Sequence, residues 1–241
     1  MKGIIVAFTL CLVGITGMKA QEINLQGDFV SSYIWRGMYQ TGFSVQPTLG
    51  FKAGGFSLTA WGSTDFDGTS ASEGAAAKEI DLTAAYTFGE SGLTLSVADL
   101  WWAGQGAKKY FHFNSHETAH HFEAGLAYTL PVEKLPLSIA WYTMFAGMDK
   151  NMKGKQNYSS YVELNYPFSL KGVGLNATCG VVPYAAVNQY GNNGFAVTNL
   201  ALKGSKDIKI TDSFSLPIFA QVIWNPCLED THVVFGITLR P

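Results

Sequence analysis

The run His116-Glu117-Thr118-Ala119-His120 has the His-Glu-x-x-His spacing with which zinc peptidases hold their metal. That chemistry needs a helix, where residues four apart stack one above the other and share one zinc. Downstream, however, Phe122, Leu126, Tyr128 and Leu130 alternate with Glu123 and Thr129, which is the period of a strand. Strand positions four apart are separated by about 13 Å, too far for a common metal. His112, His121 and Glu123 lie close by, so a looser surface metal site is an alternative to a solvated polar loop. Nucleophilic hydrolysis would need a serine beside a histidine that a third group orients. The five histidines are His112, His116, His120, His121 and His232, and none has an in-register serine that the sequence identifies. No catalytic residue, metal ligand or cofactor is assigned, and the chain reads as a non-enzyme.

A second set of reactive groups sits on the polar face of alternating segments: Asp28, Arg36, Lys52, Glu79, Asp81, Glu123 and Glu163. Turned toward lipid, a basic group near the midplane would cost about 2–4 kcal/mol. Turned into a water-filled interior, the same groups would set ion selectivity. A buried charge network that merely fills the interior would use them equally well. The elements that carry them decide what they face.

Residues 1–20 have the form of a secretory signal peptide, with Met1-Lys2 ahead of an apolar run from Ile4 to Ile15 and cleavage expected after Ala20. Beyond it no run of about 18 apolar residues offers a transmembrane helix. Charged residues make up 14% of the chain, against roughly 25% in soluble domains. Aromatics are also 14% and glycines number 26, which suits an outer-membrane barrel or a secreted β-sandwich. A net charge of −2 excludes the concentrated basic surface that a nucleic-acid partner requires. Cys179 and Cys227 fall in different segments and read as small apolar residues.

The alternation then runs the length of residues 21–241. A first strand is expected from Ile23 to Arg36, with Ile23, Leu25, Phe29, Tyr33 and Trp35 on its apolar face. Further strands are expected near 43–51, 56–65, 80–88, 93–102, 122–130, 137–145, 162–168 and 173–182. A weaker one ends near Gly204, residues 205–213 form a charged turn, and the last two cover 214–224 and 233–239. Asp99 falls on the apolar parity, so a bulge that re-aims it inward is expected. The count is about twelve, and short connections near 53, 90, 133, 171 and 208 alternate with mostly longer ones. Trp35, Trp101, Phe145 and Trp224 mark one end of the strands; Phe51, Phe56, Phe88, Phe168 and Phe214 mark the other. Two aromatic girdles and one-sided long loops belong to a membrane barrel. A sandwich has no reason to sort aromatics so. The expected fold is therefore all-β: a transmembrane, antiparallel, up-and-down β-barrel in the outer membrane of a Gram-negative cell.

Three motifs carry a family resemblance. Ser31-Ser32-Tyr33-Ile34-Trp35-Arg36-Gly37 resembles the Ser-x-Tyr-x-x-Arg-Gly signature of the Gcw-type (TorF-like) porin family. Glu79-Ile80-Asp81-Leu82-Thr83-Ala84-Ala85-Tyr86 is similar to its Glu-x-Asp-hydrophobic-Thr-x-x-Tyr strand, and Asp99-Leu100-Trp101-Trp102 to its Asp-Tyr-aromatic segment, with Leu100 departing from the usual aromatic. The resemblance implies an outer-membrane barrel, and a pore. The closing Phe235-Gly236-Ile237-Thr238-Leu239 also resembles the signal read by the barrel-assembly machinery, although Arg240-Pro241 stands in place of the terminal aromatic.

The functional expectation is a narrow porin for passive diffusion of small solutes or ions. Asp28, Arg36, Glu79, Asp81, Glu123 and Glu163 are its lumen and selectivity candidates. Its partners are outer-membrane lipid and the assembly machinery. The competing readings are a non-conducting structural or adhesive barrel that acts through its external loops, and a barrel hydrolase.

Overall fold

The computed structural model describes residues 21–66, 78–103, 109–114, 117–133 and 135–241. The expected signal peptide, residues 1–20, lies outside the described residues. In chain order the strands are β1 (Gln21–Val30), β2 (Tyr33–Trp35), β3 (Met38–Thr41), β4 (Ser44–Ala53), β5 (Phe56–Asp65), β6 (Lys78–Thr87) and β7 (Leu93–Ala103). They continue with β8 (His120–Thr129), β9 (Ser138–Gly147), β10 (Ser160–Leu170), β11 (Val173–Val182), β12 (Ala196–Lys209), β13 (Ser215–Asn225) and β14 (Asp230–Leu239). One helical turn, α1 (Val187–Tyr190), lies between β11 and β12.

Twelve of these strands close into one antiparallel ring. Each pairs with its sequence neighbour, except that β1 pairs directly with β4 on one side and with β14 on the other. Closure removes every open sheet edge, which is what allows strands to cross lipid. Side chains alternate across the wall as the sequence requires. Ile23, Leu82, Val97, Leu126 and Phe235 all sit exposed on the outside, Ile23 at 77%. Short connections at 54–55, 88–92, 171–172 and 210–214 gather at the end where β1 begins and β14 finishes. The longer connections gather at the other. Apolar outside, polar inside and loops long on one side are the features of outer-membrane barrels.

Four expectations change. The first strand stops at Val30, and residues 31–43 leave the wall instead of extending it to Arg36. Tyr33 and Trp35 therefore do not face lipid, and Trp35 is not part of the outer girdle. Asp99 is not bulged: it pairs in register with Leu82 and Phe122 and stays on the outer face. There its carboxylate meets a histidine, which removes the need to turn it inward; the register shift of this region falls on β8 at Phe122/Glu123. Finally, β12 continues through the charged residues to Lys209, fully paired with β13 down to Ser215. Alternating charge near the rim is compatible with a strand once its backbone finds a ladder partner.

Candidate functional site

Residues 31–43 fold back into the barrel as a hairpin, β2 against β3, in a sheet of its own. Trp35 pairs with Met38 across a two-residue turn in which Arg36 has φ 51° and Gly37 φ 84°. Two positive φ values define the tight turn that matches strand twist. Gly37 is obligatory for a second reason, because a Cβ there would lie 1.8 Å from the Thr198 carbonyl oxygen. Arg36 is the unusual member, since a non-glycine residue in this conformation costs on the order of 1–3 kcal/mol.

What offsets that strain is the set of groups around the guanidinium. Arg36 Nη1 donates to Glu123 Oε2 at 2.7 Å and Nη2 donates to Oε1 at 2.8 Å, a bidentate fork. Nη1 also donates to the Tyr190 hydroxyl at 2.8 Å. The guanidinium carbon lies 4.6 Å from the ring centres of Trp35 and Tyr142 and 4.8 Å from that of Tyr161, within cation–π range. The Arg36 and Glu123 side chains are only 12% and 6% exposed. Trp35 stacks on Tyr190 at 5.6 Å with the rings 10° apart, and Tyr161 and Tyr190 are wholly buried. Asn225 Nδ2 donates to the Gly37 carbonyl at 3.1 Å, tying the turn to β13. The hairpin thus fills the outer half of the lumen, and Arg36 is its tip.

The six candidate residues divide around this cage. Arg36 and Glu123 meet in it. Glu163 stands one ring away, where the Tyr161 hydroxyl donates to it at 2.8 Å and Asn165 Nδ2 at 2.6 Å. Glu79 and Asp81 share the inward face of β6; Glu79 is buried beside Tyr33 and Trp102 around a void of about 30 Å³. Asp28 lies lower on the opposite wall and accepts from the Thr238 hydroxyl across the β1–β14 seam. No ion pair to Asp65, Glu79, Asp81 or Glu163 occurs among the described residues. Four acidic side chains of the wall thus have no cationic partner among the described residues. Toward the outer mouth a cavity of about 490 Å³ opens over Trp35, lined also by Trp102, Asp149, Lys150, Asn188 and Gln189.

The histidine-rich stretch is exposed at Phe111, Phe113, Asn114 and Glu117 but not at its last members. His120 has no exposed surface and opens β8 on the outer face of the wall. Its Nδ1 lies 2.6 Å from Asp99 Oδ1 and its Nε2 2.5 Å from the Tyr110 carbonyl, so both ring nitrogens face acceptors. Phe113 stacks on the imidazole at 4.3 Å. His116 lies outside the described residues. His120 anchors the loop ahead of β8 to the wall, and its nitrogens are committed to that task.

Sequence parity did not bring Trp35, Tyr190 and Asn225 to Arg36. The available signal was the Arg36-Gly37 pair between Ile34-Trp35 and Met38-Tyr39, which is the pattern of a tight hairpin turn rather than of a continuing strand.

A closed ring, apolar outside and filled by its own hairpin, defines a plugged antiparallel β-barrel. No protein-family model matches this chain, and no curated protein does.

Proposed function

We propose that this barrel lies in the outer membrane, is a member of the Gcw-type porin family, and passes small cations or cationic solutes by passive diffusion. The β2–β3 hairpin is its gate. The observation that carries this reading is a lumen with uncompensated carboxylates on its wall, obstructed by a segment that the wall does not need. β1 and β4 pair along their whole length, from Gln21 with Ala53 to Val30 with Ser44, so the hairpin can leave without breaking a wall ladder. Below it Thr83, Ser96, Asn165 and Thr178 are small or polar inward positions, with Phe219 the large exception near the β12–β14 wall. Confined between low-dielectric walls, those acids that are ionised raise local cation concentration and exclude anions. Lipid and the assembly machinery are its partners, and it performs no chemistry on its solute.

The fully buried Tyr161 and Tyr190 favour the second reading, a permanently closed structural barrel. Planar-bilayer recording separates the two. Refolded wild type is expected to conduct in brief openings, with a reversal potential in asymmetric KCl that favours cations. Arg36→Ala opens more often and shifts further toward cations, and Asp81→Asn shifts toward anions. Silence from both wild type and Arg36→Ala refutes the porin and leaves the closed barrel.

A further inference from the structure

The groups that surround Arg36 constitute a complete recognition site for a guanidinium ion, and most of them belong to the wall and outer loop, not to the plug. Glu123 comes from β8, Tyr142 from β9, Tyr161 from β10 and Tyr190 from α1. We propose that this is a binding site for small solutes bearing a guanidinium group, and that Arg36 is a tethered stand-in for such a solute which keeps the site occupied until one displaces it. The inference rests on the porin reading for its biological setting, but the site itself is defined by binding alone.

The chemistry favours guanidinium over other cations. A carboxylate that receives two parallel N–H donors matches a planar fork, whereas an ammonium offers a single point of charge. The Tyr142 and Tyr161 rings present π faces to a flat, weakly hydrated cation, and the Tyr190 hydroxyl accepts one further donor. With the hairpin withdrawn, Glu123 would be left without its cation, so the emptied cage calls for one. The cavity of about 490 Å³ toward the outer mouth abuts the cage at Trp35, the ring that stacks on Tyr190.

The tethered residue also sets how the site must respond. A ligand sees only the fraction of molecules whose hairpin is withdrawn, so apparent affinity is weakened by that fraction. Removing the tethered competitor restores the intrinsic affinity.

The experiment is calorimetric titration of the detergent-refolded barrel with agmatine, with butylurea as an uncharged control. Arg36→Ala is expected to bind one agmatine at least about tenfold more tightly than wild type, as a released competitor requires. Arg36→Ala with Glu123→Gln falls back to wild-type weakness or below, and butylurea binds none of them. Arg36→Lys keeps a tethered cation without the fork and is expected between wild type and Arg36→Ala; it decides the matter if the alanine variant does not fold. Equal affinity across wild type and the Arg36 variants overturns the proposal, as does agmatine binding that survives Glu123→Gln. A barrel that is silent in bilayers yet follows this order fails as a porin and keeps the site.

Discussion

Replacing Glu123 by Gln tests whether the plug is held by its tip or by its packing. Glu123 and Arg36 are 6% and 12% exposed, so solvent screens their pairing little. Removing one partner of such a pair costs about 3–5 kcal/mol, because the other charge is left buried and uncompensated. The wall does not absorb that cost, since β1 and β4 are zipped together without the hairpin. Arg36 reaches water if the hairpin withdraws. At 1.36 kcal/mol for each factor of ten, the docked population falls by about two to nearly four orders of magnitude. Hydrogen exchange read by mass spectrometry resolves this directly. Amides of residues 33–41 should exchange at least about a hundredfold faster in Glu123→Gln, at the lower end of that cost. Those of β5 to β11 should keep wild-type protection. Unchanged protection of the hairpin would show that aromatic packing alone holds the plug, and the reasoning would be wrong. Loss of protection in β8 and β9 together with it would show that plug and wall are one cooperative unit, which is equally contrary.

His120→Ala should free the loop ahead of β8 from the outer wall at a cost of roughly 1–3 kcal/mol, as for a buried acceptor left unpaired. Chymotrypsin added to intact cells should then cut near Tyr110, Phe111 or Phe113 faster than in wild type, while the barrel keeps its heat-modifiable migration; unchanged cleavage would place the anchor elsewhere. Alkaline stability reports on Tyr190. Burial, opposed by the Arg36 guanidinium and assisted by the Glu123 carboxylate, pushes its phenol up from 10 to about 12. A folded value above the unfolded one means that this contribution is complete below pH 10 and disappears as pH rises to about 12. Tyr190→Phe should flatten that loss in a urea titration over the same window, and an identical decline in both proteins would exclude Tyr190 as its source.

Much of the barrel was legible because period-two alternation is a local signal. Ile80, Leu82 and Tyr86 announce an outward face, and Asp81, Thr83 and Thr87 an inward one, with no knowledge of what lies across the ring. Alternation hid the hairpin for the same reason. Phe29, Tyr33 and Trp35 preserve parity straight through Ser31-Ser32, so alternation alone continues the strand to Arg36. The pairing of β1 with β4, a contact between residues distant from the turn, shows that the chain has left the wall, where the sequence offered only the Arg36-Gly37 pair. Asp99 misled in the opposite way, because a carboxylate on the apolar parity looks like a register fault until its histidine is found. The inward acids were placed by parity, yet their division into a caged Glu123 and an unpaired Glu79 depends on which strand the tip of the plug reaches.

The ring is not held equally all the way round. β1 runs its full ten residues beside β4 but meets β14 only from Gly27 to Val30, opposite Gly236 to Leu239. A hoop under lateral load parts at its shortest joint. The hairpin springs from the end of β1 and is fastened, through the Gly37 carbonyl, to Asn225 on β13, one strand beyond that joint. It therefore clasps the two sides together from within. Withdrawing the tip would unfasten the clasp, so a barrel without its plug would also be a barrel with a looser hoop.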